Sequence, residues 1–132
     1  MLTKPVIAIV DDDVSLREAT VSLMRASGFA PEAFPCANKF LKSDGLRRSS
    51  CLIADVQMPG MSGIELHDRL VQSGNAIPTV LMTAYPDDKA RARALKAGMI
   101  CYLTKPFSND ELLGCIRTAL ELGKRKFARN LD

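Results

Sequence analysis

The sequence predicts an α/β fold, a doubly wound (βα)5 arrangement with a parallel five-stranded sheet and helices on both sides. Three observations carry the prediction. Short apolar runs alternate five times with segments of helical period along the 132 residues. The runs are apolar at consecutive positions, as strands buried on both faces are, and lack the polar alternation of a half-exposed sheet. Polar groups stand at their C-terminal ends: Asp11-Asp12-Asp13 after the first run, Asp55 after the third, Thr83 after the fourth and Thr104-Lys105-Pro106 after the fifth. In parallel strands those ends share one edge of the sheet, where open α/β sheets place their sites.

The elements follow in order. Residues 6–10 form the first strand. Leu16, Ala19, Thr20, Leu23 and Met24 then repeat at helical spacing, with Asp13 as N-cap in preference to a metal ligand and Gly28 as the stop. Residues 30–34, flanked by Pro31 and Pro35, are a short second strand. A second helix is expected over 36–44, a loop over Gly45 and Arg47-Arg48-Ser49-Ser50, and the third strand over 51–56. Ser62-Gly63-Ile64-Glu65 has the form of a capping box and opens a third helix whose apolar side is Ile64, Leu66, Leu70 and Val71, ending at Gly74. His67 is expected to be exposed on that helix. Residues 78–83 give the fourth strand, 87–96 a basic fourth helix closed by Gly98, and 99–103 the fifth strand. Ser108-Asn109-Asp110-Glu111 is a second capping box, and Leu112, Leu113, Ile116, Ala119 and Leu120 face inward from the fifth helix, with Gly123 as its stop. Residues 1–123 are thus the expected domain, and 124–132, carrying Lys124-Arg125-Lys126 and Arg129, a basic tail or the start of a linker.

Right-handed crossovers make 2-1-3-4-5 the natural strand order, the flavodoxin-like arrangement, which sets the first and third strands side by side where the winding reverses. Asp11, Asp12 and Asp55 then flank one crevice. Like charges repel by about 4 kcal/mol per pair at 4 Å and an effective dielectric near 20. Such a grouping calls for protons or a cation, and predicts a divalent metal.

Composition excludes several classes. Apolar content of 47% and charged content of 25% are those of an ordinary soluble domain. The net charge of +3 comes mainly from the basic end and offers no broad cationic face, so no nucleic acid is expected to bind the domain itself. Cys36, Cys51, Cys101 and Cys115 lack C-x-x-C spacing and His67 is the only histidine, so neither zinc site nor redox pair is suggested, and the thiols read as small apolar residues of a reducing cytoplasm. No apolar run approaches the ~18 residues of a membrane span, so no membrane association is expected.

The set I-V-D-D-D at 9–13, D-V-Q-M-P-G-M-S-G at 55–63, M-T-A at 82–84, K-A-G at 96–98 and Y-L-T-K-P-F at 102–107 resembles the receiver domain of two-component response regulators over residues 5–122. Within that family the look is closest to receivers of the nitrogen-fixation and nitrate regulator type. The resemblance implies a phosphoacceptor at Asp55, and Mg2+, with Mn2+ as the alternative ion, on Asp11, Asp12, Asp55 and the main-chain carbonyl of Gln57. It implies that Lys105 pairs with Asp55 or its phosphate, that Thr83 and the main chain at Ala84 bind phosphoryl oxygens, and that Tyr102 rotates on activation. It also implies a cis bond before Pro106. By their positions, two residues after Asp55 and Thr83, Gln57 and Tyr85 are placed to shield the acyl phosphate or admit water to it.

The implied partners are a sensor histidine kinase, a second copy bound through the surface of the fourth helix, fifth strand and fifth helix, and a DNA-binding output domain if the chain is a fragment. Nine residues follow Gly123, too few for a helix-turn-helix, so a stand-alone receiver or one cut at a linker is expected. Two other readings compete. A phosphorylation-independent interaction module would fail to take phosphate at Asp55. A Mg2+-dependent aspartyl phosphohydrolase would turn over phosphate esters; Asp11-Asp12-Asp13 has its D-x-D spacing, but the chain has no room for a cap domain. A dinucleotide binder is disfavoured because no G-x-G-x-x-G follows the first strand.

Overall fold

The computed structural model describes residues 3–130, with side chains described through residue 124. The elements are β1 (Val6–Val10), α1 (Val14–Ala26), β2 (Ala30–Phe34), α2 (Ala37–Leu41), α3 (Gly45–Arg48), β3 (Cys51–Asp55), α4 (Gly63–Gln72), β4 (Thr79–Thr83), α5 (Asp88–Lys96), β5 (Cys101–Thr104) and α6 (Asn109–Asn130). The strands form one parallel sheet in the order β2-β1-β3-β4-β5, as right-handed crossovers predict.

The pleat divides the core in two. Ala8, Val10, Leu52, Ala54, Leu81 and Tyr102 face Phe40, Leu66, Leu70 and Ala94 from α2, α4 and α5. Ile7, Ile9, Cys51, Ile53, Val80 and Met82 face Met24 of α1 and Leu112, Ile116 and Ala119 of α6. Burial on both faces explains the unbroken apolar runs of the strands. Helix ends are set by local chemistry. Asp13 Oδ1 accepts from Leu16 N–H, Ser62 Oγ from Glu65 N–H, and Ser108 and Glu111 cap each other reciprocally. Gly28, Gly74 and Gly98 take left-handed φ angles of 90°, 79° and 95°, ending α1, α4 and α5.

Several expectations are corrected. The second helix does not run over 36–44, because Ser43 Oγ donates to the Phe40 carbonyl and accepts from Gly45 N–H, competing with the helical ladder. The polar segment after it forms the short α3, fastened by Arg48 to Glu32 of β2 at 2.7 Å. The last helix does not stop at Gly123, which lacks the positive φ of a helix stop, and α6 continues to Asn130. The fourth predicted helix is therefore α5 and the fifth α6.

His67 is buried, not exposed. The inward stripe of α4 is Gly63, Leu66, His67 and Leu70, spaced i, i+3, i+4 and i+7, which turns the more hydrophobic Val71 outward to 50% exposure. Ala19 is likewise exposed, with Val21 packed in its stead. Two of the four cysteines are not independent: Cys101 on β5 and Cys115 on α6 are disulfide-bonded, with Cα atoms 6.1 Å apart. The 14-residue separation is closed by the docking of α6 on the sheet, which no spacing motif reveals. Cys51 is the apolar filler expected, its thiol pushed up to about 12 by burial. No described helix is long and apolar enough to cross a membrane.

Candidate functional site

The register of the sheet assembles the site. Val10 pairs with Ala54, so Asp11 and Asp55 leave β1 and β3 side by side. Asp55 pairs with Met82, which puts Thr83 one step beyond, and Thr83 pairs with Thr104, which precedes Lys105. The sequence-predicted residues are thus brought to one edge.

The acidic half lies between β1 and β3. Asp11 is fully buried, Asp55 nearly so, and Asp12 is exposed; one carboxylate oxygen from each lies within 4.8 Å of the others. Asp11 Oδ1 accepts from Asp13 N–H at 3.0 Å, while its Oδ2 has no hydrogen-bond partner among the described residues. Burial is the main cause that raises the Asp11 pKa; the Asp13 N–H and Lys105 oppose it, and the charges of Asp55 and Asp12 add to it. A buried oxygen without a partner, ringed by carboxylates, fits a hard divalent cation that takes oxygen ligands. Arg17, which sequence reasoning passed over, donates from Nη1 to the Asp11 carbonyl at 2.7 Å. Its only sequence signal is its place on the first turn of α1.

Asp55 is held from three directions. Lys105 forms an ion pair with its Oδ2, and the Lys105–Pro106 peptide is cis. Gln57 N–H donates to its Oδ1 at 2.9 Å, folding the loop back over the carboxylate. Gly63, at the start of α4, sits against its carbonyl so closely that an added Cβ would lie 2.5 Å from that oxygen and 2.9 Å from Leu81 Cδ2. In the sequence this glycine belongs to a capping box and closes the D-V-Q-M-P-G-M-S-G motif, neither of which shows the contact; its lack of a side chain is what lets α4 dock here.

The other half lies between β4 and β5. Thr83 is fully buried, and its hydroxyl donates to Gln57 Oε1 at 2.7 Å and accepts from Tyr85 N–H at 2.9 Å. The Gln57 side chain is therefore engaged with Thr83. Ala84 follows exposed, and Tyr85 is 73% exposed. Tyr102 is turned into the core, and its hydroxyl has no hydrogen-bond partner among the described residues.

Comparison with known proteins agrees with this architecture. The chain is 42% identical to the response regulator protein TmoT of Ectopseudomonas mendocina, over 92% of this chain and 55% of that protein. It is 34% identical to the transcriptional regulatory protein FixJ of Bradyrhizobium diazoefficiens, over 91% of this chain and 58% of that one. The chain spans little more than half the length of these curated relatives. The solved structure of the response regulator StyR matches with a TM-score of 0.89 at 43% identity, covering 98% of this chain and 66% of that one. The description "Response regulator receiver domain" belongs to a family model that matches residues 7–117, from the first strand into the last helix. A sheet that gathers its acids and its lysine at one edge, in a chain matched over that span, belongs to the receiver domains of response regulators.

Proposed function

We propose that this receiver takes a phosphoryl group on Asp55 from a sensor histidine kinase and reports it through the surface of α5, β5 and α6. The observation that carries the reading is the Asp55–Lys105 pair standing beside a buried Asp11 oxygen that lacks a partner. A carboxylate oxygen of Asp55 attacks phosphorus, the phosphorus–nitrogen bond of the phosphohistidine breaks, and the imidazole leaves with the electron pair. Asp11, Asp12, Asp55 and the Gln57 main-chain carbonyl would hold Mg2+, or Mn2+ in its place, which when bound neutralises charge on the phosphoryl oxygens.

Lys105 passes from the carboxylate to a phosphoryl oxygen. Thr83 gives its hydroxyl hydrogen, and Ala84 its main-chain N–H, to the same group. Catalysis is positioning and neutralisation, and the only chemistry is the chain's own phosphorylation and its reversal by water. Phosphate acts as a ligand bound more tightly by one of two states, which couples Thr83 and Tyr102 to the output surface.

That surface is the proposed contact with a second copy, and in a protein of the length of TmoT or FixJ the output is a DNA-binding domain acting on transcription. We place the domain boundary near residue 123, with 124–132 as tail or linker, and the protein in the cytoplasm. Intact mass after incubation with acetyl phosphate tests the reading. A single phosphoryl adduct that requires Mg2+ and disappears in Asp55→Asn is expected. A folded protein with no adduct in any condition overturns it in favour of a phosphorylation-independent module.

A further inference from the structure

We propose that Gln57 is a positioning residue for the switch, its side-chain oxygen standing in for a phosphoryl oxygen and holding the phosphoryl-free chain with Thr83 drawn to the site and Tyr102 turned in. The inference rests on the reading of Asp55 and Thr83 given above, and goes beyond it by assigning the resting state.

A threonine hydroxyl has one hydrogen to give. In this structure that hydrogen goes to Gln57 Oε1 at 2.7 Å, while the Thr83 oxygen accepts from Tyr85 N–H at 2.9 Å. Both capacities are used, and the direction of the hydroxyl is fixed. Gln57 is itself anchored, since its N–H donates to Asp55 Oδ1 at 2.9 Å. Its amide oxygen thus reaches the Thr83 hydroxyl from the loop that covers the phosphoacceptor. A phosphoryl oxygen on Asp55 and Gln57 Oε1 compete for one hydrogen, so phosphorylation exchanges an acceptor and does not create the bond anew.

The consequence reaches Tyr102 through the sheet. Leu81 pairs with Tyr102 across β4 and β5, and Thr83 lies two residues beyond Leu81, so Thr83 and Tyr102 are diagonal neighbours on one face. Tyr102 is 9% exposed and packs in the cluster with Leu81, Ala94 and Met99. Its hydroxyl gains no hydrogen bond there, so the inward position is not held by the ring's own polar end. It depends on packing and on the space that the direction of Thr83 leaves. Tyr85, the other tyrosine, is 73% exposed, so the two rings report opposite environments.

The test labels the full chain with 3-fluorotyrosine and reads 19F resonances, assigned with Tyr85→Phe. Quenching by a soluble paramagnetic agent measures the exposure of each ring. Without phosphate or its analogues, Tyr102 in the wild type is expected to be protected and Tyr85 open. Gln57→Met, close in shape but without the acceptor, should lower the protection of Tyr102 about fivefold, the worth of one ordinary hydrogen bond. Thr83→Val should do the same, and the double variant should be no worse than either single one. Beryllofluoride with Mg2+ should restore the protection in Gln57→Met, where fluoride supplies the missing acceptor, but not in Thr83→Val; that recovery also shows Gln57→Met to be folded.

An exposed Tyr102 in the resting wild type, unchanged protection in Gln57→Met, or additive effects of the two substitutions overturns the proposal. A wild type that shows no bound-fluoride resonance at all defeats the reading of Asp55 instead.

Discussion

The two halves of the site are built in opposite ways. Between β1 and β3 one polar atom is left short: Asp11 buries an oxygen that meets no donor among the described residues, with Asp12 and Asp55 as its neighbours. Between β4 and β5 they are closed on one another: Thr83 uses both its hydrogen and its oxygen, and Lys105 reaches across to pair with Asp55. Tyr102, whose hydroxyl is also unpartnered, is the exception on that side, and it is held by packing. Burying unmatched charge costs stability, and in the reading proposed above the cost is kept where a cation supplies the missing partner. A satisfied hydroxyl has a different use, since it responds only by trading one acceptor for another. On the proposed reading the acidic half is a place to be filled and the other half a place to be rearranged.

The largest expected effect comes from removing the unmatched charge. Asp11→Asn keeps an oxygen to accept from Asp13 N–H but loses a carboxylate from the proposed cation site. Mg2+ affinity, followed by titration calorimetry, should fall about a hundredfold, the upper end of what losing a metal-site partner costs. The metal-free variant should nevertheless be more stable by about 1 kcal/mol in urea unfolding, because a buried charge is gone. The pH dependence has a definite sign. Burial raises the Asp11 pKa in the folded chain, so folding favours its protonated form. The stability from this group is full below the unfolded carboxylate range, about 4, and is lost as pH rises through the raised folded value. The metal-free wild type should lose stability over that interval relative to Asp11→Asn. Parallel pH curves for the two proteins would erase the contrast between the halves.

Next in size is the seam between them. Gly63 touches the Asp55 carbonyl of β3 and Leu81 of β4, and a Cβ has no room against either. Gly63→Ala should cost about 2 kcal/mol of stability, the usual range for overpacking, because the near atom at 2.5 Å is main chain and cannot step aside. It should also slow acetyl-phosphate labelling of Asp55 by displacing the loop that covers the carboxylate. A stable variant with wild-type labelling would mean that α4 docks more loosely than this contact implies.

Much of this arrangement is legible in the sequence, and what is not has a common cause. Asp11, Asp55, Thr83 and Lys105 stand at the ends of apolar runs, and parallel strands with right-handed crossovers bring such ends to one edge whatever the details. Residues whose roles depend on angle or reach are hidden. His67 is buried because of its angle on α4, not its hydrophobicity. Cys101 and Cys115 are brought together by the docking of α6 on the sheet. The sequence marks Gln57 by its place after Asp55, but its amide reaches Thr83 across 26 residues of sequence. Local pattern fixes which edge carries the chemistry, whereas side-chain reach decides how the groups on it are paired.

The smallest effect isolates Arg17, the residue that no pattern pointed to. Its guanidinium donates to the Asp11 carbonyl, so it holds the backbone of the acidic half and also places a positive charge beside it. The two contributions separate in a pair of variants. Arg17→Met loses both the bond and the charge, and should cost about 1 kcal/mol of stability, the scale of one such hydrogen bond. Arg17→Lys keeps the charge on a flexible stem but not the directed donor, and should lose most of the same stability. Mg2+ affinity should distinguish them in the other direction. Without the positive charge the carboxylates attract the cation more strongly, so Arg17→Met should bind Mg2+ about twofold tighter at low salt, with the gain fading as salt screens it. Arg17→Lys should match the wild type. Equal Mg2+ affinity in all three proteins would show that Arg17 braces the backbone alone, and that the acidic half carries its charge without help from α1.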